Sequence, residues 1–287
     1  MIERAPILVV GAGGGVGGAV TRKLVARGDP VIAAVRSDTQ AAALRREIPG
    51  LEDVWALDLA EADMLPHSLL LLLGKRPLSG VVNCAAGCVY GPLETSSLAA
   101  FRSLLEVNAV AALALFQACM PSLRQTRGRL LLVSSYSGQI ALPFLGIYEA
   151  SKFALEALAD VMRQESAPFG VSVVVAQPGG IDTAMSRRMR EGVAADSAQL
   201  EDDVERLYAP LYRAFARITA QATDLPGPDR IADGVIAAFD APDPQPRYPL
   251  GEDARWLLEQ RRVLDDRAMD ALARQIYGLD ADGGSTE

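Results

Sequence analysis

The 287-residue chain holds one histidine and three cysteines, and each shortage removes a class of chemistry. Cys84 and Cys88 have a spacing that could suggest a metal pair, but no second cysteine pair follows and His67 is the only histidine, so no metal site is expected. His67 itself precedes a leucine run and reads as a surface or helix-start position rather than an acid or base. An odd number of cysteines, with no secretory start, points to free thiols in a reducing compartment instead of a disulfide framework. Positive charge is scarce as well: 28 Lys and Arg face 36 Asp and Glu, a net charge of -8, which argues against a nucleic-acid partner. The densest basic cluster, Arg187, Arg188 and Arg190, reads as a solvated helix face. Long apolar runs are lacking too. The longest leucine run, Leu69 to Leu73, is far short of the roughly 20 apolar residues that a spanning helix needs, and Met1-Ile2-Glu3-Arg4 begins no signal peptide. The expectation is a cytoplasmic protein without a membrane span.

What is present suits a folded α/β protein. Hydrophobic residues make up 50% of the chain and charged residues 22%, and the length is ample for a sizeable core. Short apolar runs alternate with longer segments of helical period, the signature of βαβ units around a parallel sheet. Ile7–Val10, Val31–Val35, Val54–Ala56, Gly80–Val82, Arg129–Val133 and Val171–Ala176 read as strands, with a seventh near Arg247-Tyr248. Ala19–Ala26 and Phe153–Glu165 have the length and Ala/Leu content of crossover helices. The predicted fold is a doubly wound parallel sheet of about seven strands with helices on both faces. No repeat or linker divides the chain, so residues 1–279 read as one domain, and the polar, Gly-rich 280–287 as a disordered tail.

Two stretches carry chemistry. Gly11-Ala12-Gly13-Gly14-Gly15-Val16-Gly17 follows the first strand and opens a helix. There, unpaired N–H groups and the positive dipole end favour a phosphate, and glycine lets it approach the backbone closely. In Tyr148-Glu149-Ala150-Ser151-Lys152, the tyrosine and lysine are four apart and share one helix face. A cation so placed favours the phenolate and is expected to lower a tyrosine from its usual ~10, making it a usable acid or base. The pair Ser134-Ser135 stands upstream, Ser135 thirteen residues before Tyr148.

With these motifs the chain resembles the short-chain dehydrogenase/reductase family, of the single-domain type with a Tyr-x-x-x-Lys motif, over nearly its whole length. The resemblance implies a Rossmann fold and an oxidoreductase using a nicotinamide cofactor. It implies that Gly11, Gly13, Gly14, Gly15, Val16 and Gly17 form the pyrophosphate loop, with Val10 where the family has threonine. Val35 occupies the family's acidic position and is followed by Arg36 and Ser37, which suits the 2′-phosphate of NADP(H) better than the ribose hydroxyl of NAD(H). Asp58, with Leu59, matches the adenine contact, although Glu61 three residues on also makes Asp58 a helix N-cap candidate. Asn83-Cys84-Ala85-Ala86-Gly87 resembles the family's Asn-Asn-Ala-Gly, placing Asn83 and Ala85 beside the cofactor, while Cys84 and Ala86 depart from the pattern. Asn108 matches the asparagine that holds a relay water, Ser135 the serine on the substrate oxygen, Tyr148 the proton donor and Lys152 the ribose-binding lysine. Pro178, Gly179, Ile181 and Thr183 match the segment closing over the nicotinamide, where Asp182-Thr183 also suits a helix cap.

The substrate is read more coarsely. Residues 184 to about 223 are longer than a plain crossover and are expected to form a helical lid carrying Met185, Met189, Leu207, Leu211 and Phe215. With Ile140, Leu142, Phe144 and Leu145 they predict an apolar pocket for a ring-bearing or lipid-like ketone, although each also suits ordinary packing. Residues 247–279, with Trp256, Leu257, Leu264 and Tyr277, resemble an extension of the steroid and retinol dehydrogenase branch. The implied reaction passes hydride between NADP(H) and a carbonyl or secondary alcohol. Two other readings stay open: a lyase or isomerase using Tyr148 without net redox turnover, and a redox-inactive NADP-binding regulator, whose signature would be loss of the catalytic set. The family also implies a homodimer or homotetramer formed through the helices of Asn108 and Tyr148.

Overall fold

The computed structural model describes residues 4–198 and 203–279. Seven strands, β1 (Ile7–Val10), β2 (Val31–Val35), β3 (Asp53–Ala56), β4 (Gly80–Asn83), β5 (Arg129–Val133), β6 (Ser172–Pro178) and β7 (Arg247–Leu250), form one sheet. Their order is β3-β2-β1-β4-β5-β6-β7, and every pairing is parallel. The expected topology is therefore the observed one. Boundaries differ slightly: β6 begins one residue later than its apolar run suggests and continues through Gln177 and Pro178, which pairs with Leu250.

Alternation along the strands sorts the core into two layers. Leu8, Val10, Ile32, Ala34, Val81, Leu130, Leu132, Val173 and Val175 face one way, against α3 (Leu65–Leu73), α5 (Ala111–Thr126) and α6 (Gly146–Ser166). Val9, Ala33, Val35, Val82, Leu131, Val174 and Ala176 face the other, against α1 (Gly15–Ala26), α2 (Asp38–Glu47) and α10 (Pro228–Asp240). Both faces are covered, which is why the inner strands are continuous Val/Ile/Leu runs. Strand order reverses between β1 and β4, so the loops after these two strands flank a crevice at their carboxyl ends, where such sheets bind ligands.

A helix α4 (Leu98–Leu105) runs through a π-helical turn (Glu106–Val110) into α5. Among the described residues this composite, Leu98–Thr126, and not the leucine run in α3, is the helix long and apolar enough to cross a membrane, an 18-residue window of it having a mean hydropathy of 1.6. Its residues Ala111, Ala112, Leu115, Ala118, Cys119 and Leu123 lie in the first core layer, so here it serves as a core helix.

Above the carboxyl ends of the strands stand α7 (Ala184–Ala198), α8 (Asp203–Leu207) and α9 (Ala209–Gln221), then, after β7, α11 (Glu252–Val263) and α12 (Asp266–Tyr277). Phe215, Tyr212 and Val193 of this lid cluster with Phe144 and with Tyr277 of α12. Phe144 meets Tyr212 edge-on at 4.6 Å between ring centroids and Phe215 at 5.2 Å. Met185, Leu207 and Trp256 do not join the packing: all three are exposed. The tail expected to be disordered lies outside the described residues.

Candidate active site

The loop after β1 is shaped by what glycine omits. Gly11 has φ +78°, and a side chain there would bring Cβ within 2.7 Å of Ala85 N, on the loop after β4. At Gly17 a side chain would collide with the Gly11 carbonyl. Gly15 passes under Thr183, whose Cγ2 lies 3.0 Å from the Cβ position. Gly14 caps α1 without any side-chain acceptor, so the first-turn N–H groups of Gly15, Val16 and Gly17 open toward the crevice. Gly13 is free of such crowding, with only Val35 and Gln40 near its Cβ position. The Val16 side chain packs on the second core layer, as does that of Ile181 across the crevice.

At the end of β2, Arg36 is exposed and its guanidinium makes no ion pair among the described residues. Ser37 caps α2, accepting from Gln40 N at 3.4 Å, and Gln40 Oε1 accepts from Arg36 N at 3.1 Å. Gln40 is a residue the motif reading missed. Asp58 is exposed and accepts from Ala60 N at 3.0 Å, the N-cap that its spacing allowed. Leu59 turns its side chain into the first core layer. Asn83, at the end of β4, accepts from Ala85 N at 3.1 Å and so sets the turn against Gly11.

The candidate catalytic groups converge from three elements. Ser135, just beyond β5, accepts from Ser137 N and lies 3.5 Å from the Pro178 carbonyl. Tyr148 and Lys152 stand one turn apart on α6, with Lys152 Nζ 5.9 Å from the tyrosine ring centroid. Lys152 is 1% exposed and donates to the Val133 carbonyl at 3.2 Å. Burial brings its ammonium down to about 8, while the Cys88 and Glu156 charges work against that shift. The expected lowering of Tyr148 is reversed: burial pushes the phenol well above its usual value, Cys88 adds to this, and a hydrogen bond with Ser135 opposes it. Desolvation outweighs the cation because Lys152 is itself desolvated and turned toward Val133.

Asn108 sits in the π turn, 2% exposed, with its side chain fully engaged. It accepts from Gly87 N at 2.8 Å and donates to Gly87 O at 3.0 Å and Ser151 Oγ at 2.9 Å. Its side chain thus ties the loop after β4 to the helix carrying Tyr148. Glu149, also missed, is 2% exposed and accepts from Leu142 N through both oxygens, at 2.9 and 3.0 Å. Burial raises this carboxyl to about 8. It anchors the segment that includes Phe144, a non-glycine residue at φ +76°.

After β6, Thr183 caps α7, accepting from Ser186 N at 3.2 Å, as its place before a helix suggested. Arg187 and Arg188 are exposed, in keeping with a solvated face, and Arg187 and Arg190 pair there with Asp182 at 2.9 and 3.2 Å. The Asp182 carboxyl is held low by these two guanidiniums against the cost of desolvation. Gly179 N donates to the Leu250 carbonyl at 2.9 Å and Gly180 N to Asp253 of α11 at 2.7 Å. Cys84 and Cys88 are free thiols, pushed up by burial to about 12 and about 11. A separate cavity of about 810 Å³ opens at the amino ends of the strands, lined by Arg4, Ile7, Arg27, Asp29 and Asp240 among others. It holds ion pairs of Arg27 with Asp29 and Asp240 and none of the residues converging here.

Comparison with known proteins agrees with this geometry. The family model for short chain dehydrogenase matches residues 5–194. A 3-amino-tetrahydro-pyrrolizinone reductase of Xenorhabdus hominickii is 29% identical over 94% of each chain. An NADPH-dependent 3-dehydrocapnine reductase of Ornithobacterium rhinotracheale is 28% identical over 92% of this chain and 94% of its own. Retinol dehydrogenase 7 of Mus musculus is 28% identical over 87% and 81%. A short chain dehydrogenase from Burkholderia cenocepacia, solved in complex with NADP, superposes with a TM-score of 0.74 at 24% identity, covering 95% of this chain and 98% of that one. A glycine loop at the sheet's switch point, Ser135, Tyr148 and Lys152 drawn together above it, and a family match over most of the fold make this chain a member of the short-chain dehydrogenase/reductase family.

Proposed function

We propose that the chain is an NADP(H)-dependent ketoreductase or alcohol dehydrogenase acting on an apolar, ring-bearing carbonyl or secondary alcohol. The observation that carries this reading is the convergence of Ser135, Tyr148 and Lys152 beside a loop whose turn demands glycine at 11 and 17. The residues fit a dinucleotide: the backbone of Gly11 to Gly17 leaves space and open N–H groups for a pyrophosphate, and Arg36, exposed and without an ion pair among the described residues, suits a 2′-phosphate. The NADPH dependence of one relative and the NADP bound to a structural neighbour support the same choice.

When bound, the nicotinamide supplies or accepts the hydride. Tyr148, held as the neutral phenol by burial, donates its proton to the carbonyl oxygen. Ser135 orients that oxygen. Lys152 binds ribose hydroxyls, and its ammonium, lowered to about 8, can pass a proton on at neutral pH. Asn108, its side chain taken up by Gly87 and Ser151, keeps the loop after β4 and α6 in register and could meet a relay water through its backbone. Leu142 and Leu145, half-buried, pack with Met189 and Leu211 of the lid on the cluster of Phe144 and Phe215, and an apolar substrate would lie against this surface. The chain reads as one cytoplasmic catalytic domain forming a homo-oligomer.

The test is fluorescence titration with NADPH and NADH, wild type against Arg36→Glu, followed by a ketone panel with the tighter cofactor. NADPH should bind at least about tenfold more tightly than NADH, and Arg36→Glu should erase that preference. No binding of either nucleotide contradicts the proposal.

A further inference from the structure

We propose that Asp253, on the C-terminal extension, is a positioning residue that fixes the Pro178–Thr183 segment toward the nicotinamide. This rests on the cofactor reading above and names a determinant outside the stretch, residues 5–194, that the family model matches.

Two glycines, Gly179 and Gly251, leave room for this one carboxylate, and a third, Gly180, makes room for Leu225 beside it. A side chain on Gly179 would collide with both Asp253 oxygens. On Gly180 it would meet Leu225 at 2.7 Å and Asp253 Oδ2 at 3.6 Å, and on Gly251, at φ +109°, it would meet Asp253 Oδ1 at 2.6 Å. Within that space Asp253 Oδ2 accepts from Gly180 N at 2.7 Å, and Gly179 N donates to Leu250 O at 2.9 Å. The end of β7 and the first turn of α11 thus grip two consecutive N–H groups of the segment. An acid in the first turn of a helix needs no reason beyond the helix dipole. Reaching a backbone donor in another loop, through space kept clear by glycine at 179 and 251, goes beyond that. Asp253 is itself held in place, since Ala254 is fully buried and Leu257 and Leu258 pack on Ile140.

The bond joins an ionised acceptor to a backbone amide, so its loss should free the segment that faces the nicotinamide and leave the adenosine half untouched. The experiment compares NADPH with adenosine 2′,5′-bisphosphate, which lacks the nicotinamide half, on wild type, Asp253→Ala and Asp253→Asn. Asp253→Ala should weaken NADPH roughly tenfold and the bisphosphate by less than about twofold. Asp253→Asn, which keeps an acceptor for Gly180 N, should recover most of the loss. Amide exchange without nucleotide should quicken in 178–183 of Asp253→Ala and stay unchanged in β5 and α6. Equal weakening of both ligands, or no change in NADPH affinity and loop exchange, overturns the proposal. If wild type binds the bisphosphate but NADPH no better, the nicotinamide reading itself fails; if wild type binds NADPH normally and the variants match it, only the role of Asp253 fails.

Discussion

At the scale of single residues, desolvation decides more than pairing. Tyr148 and Lys152 were legible from their spacing, but spacing carries no information about solvent, and burial moves the two groups oppositely to a simple cation effect. Glu149 makes the same point within that motif. Its carboxyl, raised to about 8, binds a proton more tightly in the fold than in the unfolded chain, where 4.5 is usual. The resulting penalty is absent below about pH 4.5, where both states hold the proton, and grows as pH rises to 8. Glu149→Gln removes it. Urea unfolding should show the variant gaining on wild type by roughly 1 kcal/mol per pH unit across pH 5 to 8, and holding that gain above. A constant difference would show that Glu149 does not titrate within that window. Asp253 escaped the sequence reading because its partner, Gly180, is 73 residues away and is defined only by how two loops meet. Gln40 and Glu149 bond Arg36 and Leu142 close by in sequence and carry no motif of their own.

At the scale of elements, period and punctuation revealed the sheet well. Strands β1, β2 and β5 match their apolar runs, because a strand buried on both faces is written as a continuous run. Helix starts were read late: α1 begins at Gly15 and α6 at Gly146, both glycines that propensity disfavours. The π turn around Asn108 had no signal in sequence, since its width answers to the bonds Asn108 makes with Gly87 and Ser151. The lid was legible as an amphipathic insertion, although of its named residues Phe215 alone is fully buried. Phe215 links Phe144 to Tyr277, stacked at 6.3 Å. Phe215→Ala should therefore cost about 3 to 5 kcal/mol in urea unfolding. A loss under about 1 kcal/mol would mean that the lid packs independently of this cluster.

At the scale of the whole molecule, the C-terminal helices reach back onto the loops above the sheet. Tyr277 donates to the Pro143 carbonyl at 2.6 Å and Asp253 accepts from Gly180 N, so α12 and α11 tie down the loops after β5 and β6. Leu98, Val110, Phe153 and Val161 are exposed on the helices expected to mediate oligomerisation. Sedimentation should find a dimer or tetramer, and Phe153→Glu should shift it toward monomer. A wild-type monomer at micromolar concentration would remove that expectation. The central claim, net reduction of a ketone with Tyr148 as proton donor, is tested most directly by NADPH consumption with stoichiometric alcohol across a panel of ring-bearing ketones, wild type against Tyr148→Phe. We expect turnover with at least one ketone and a fall of roughly 100-fold or more in Tyr148→Phe. NADPH binding without consumption by any ketone, or unchanged turnover in the variant, would contradict it.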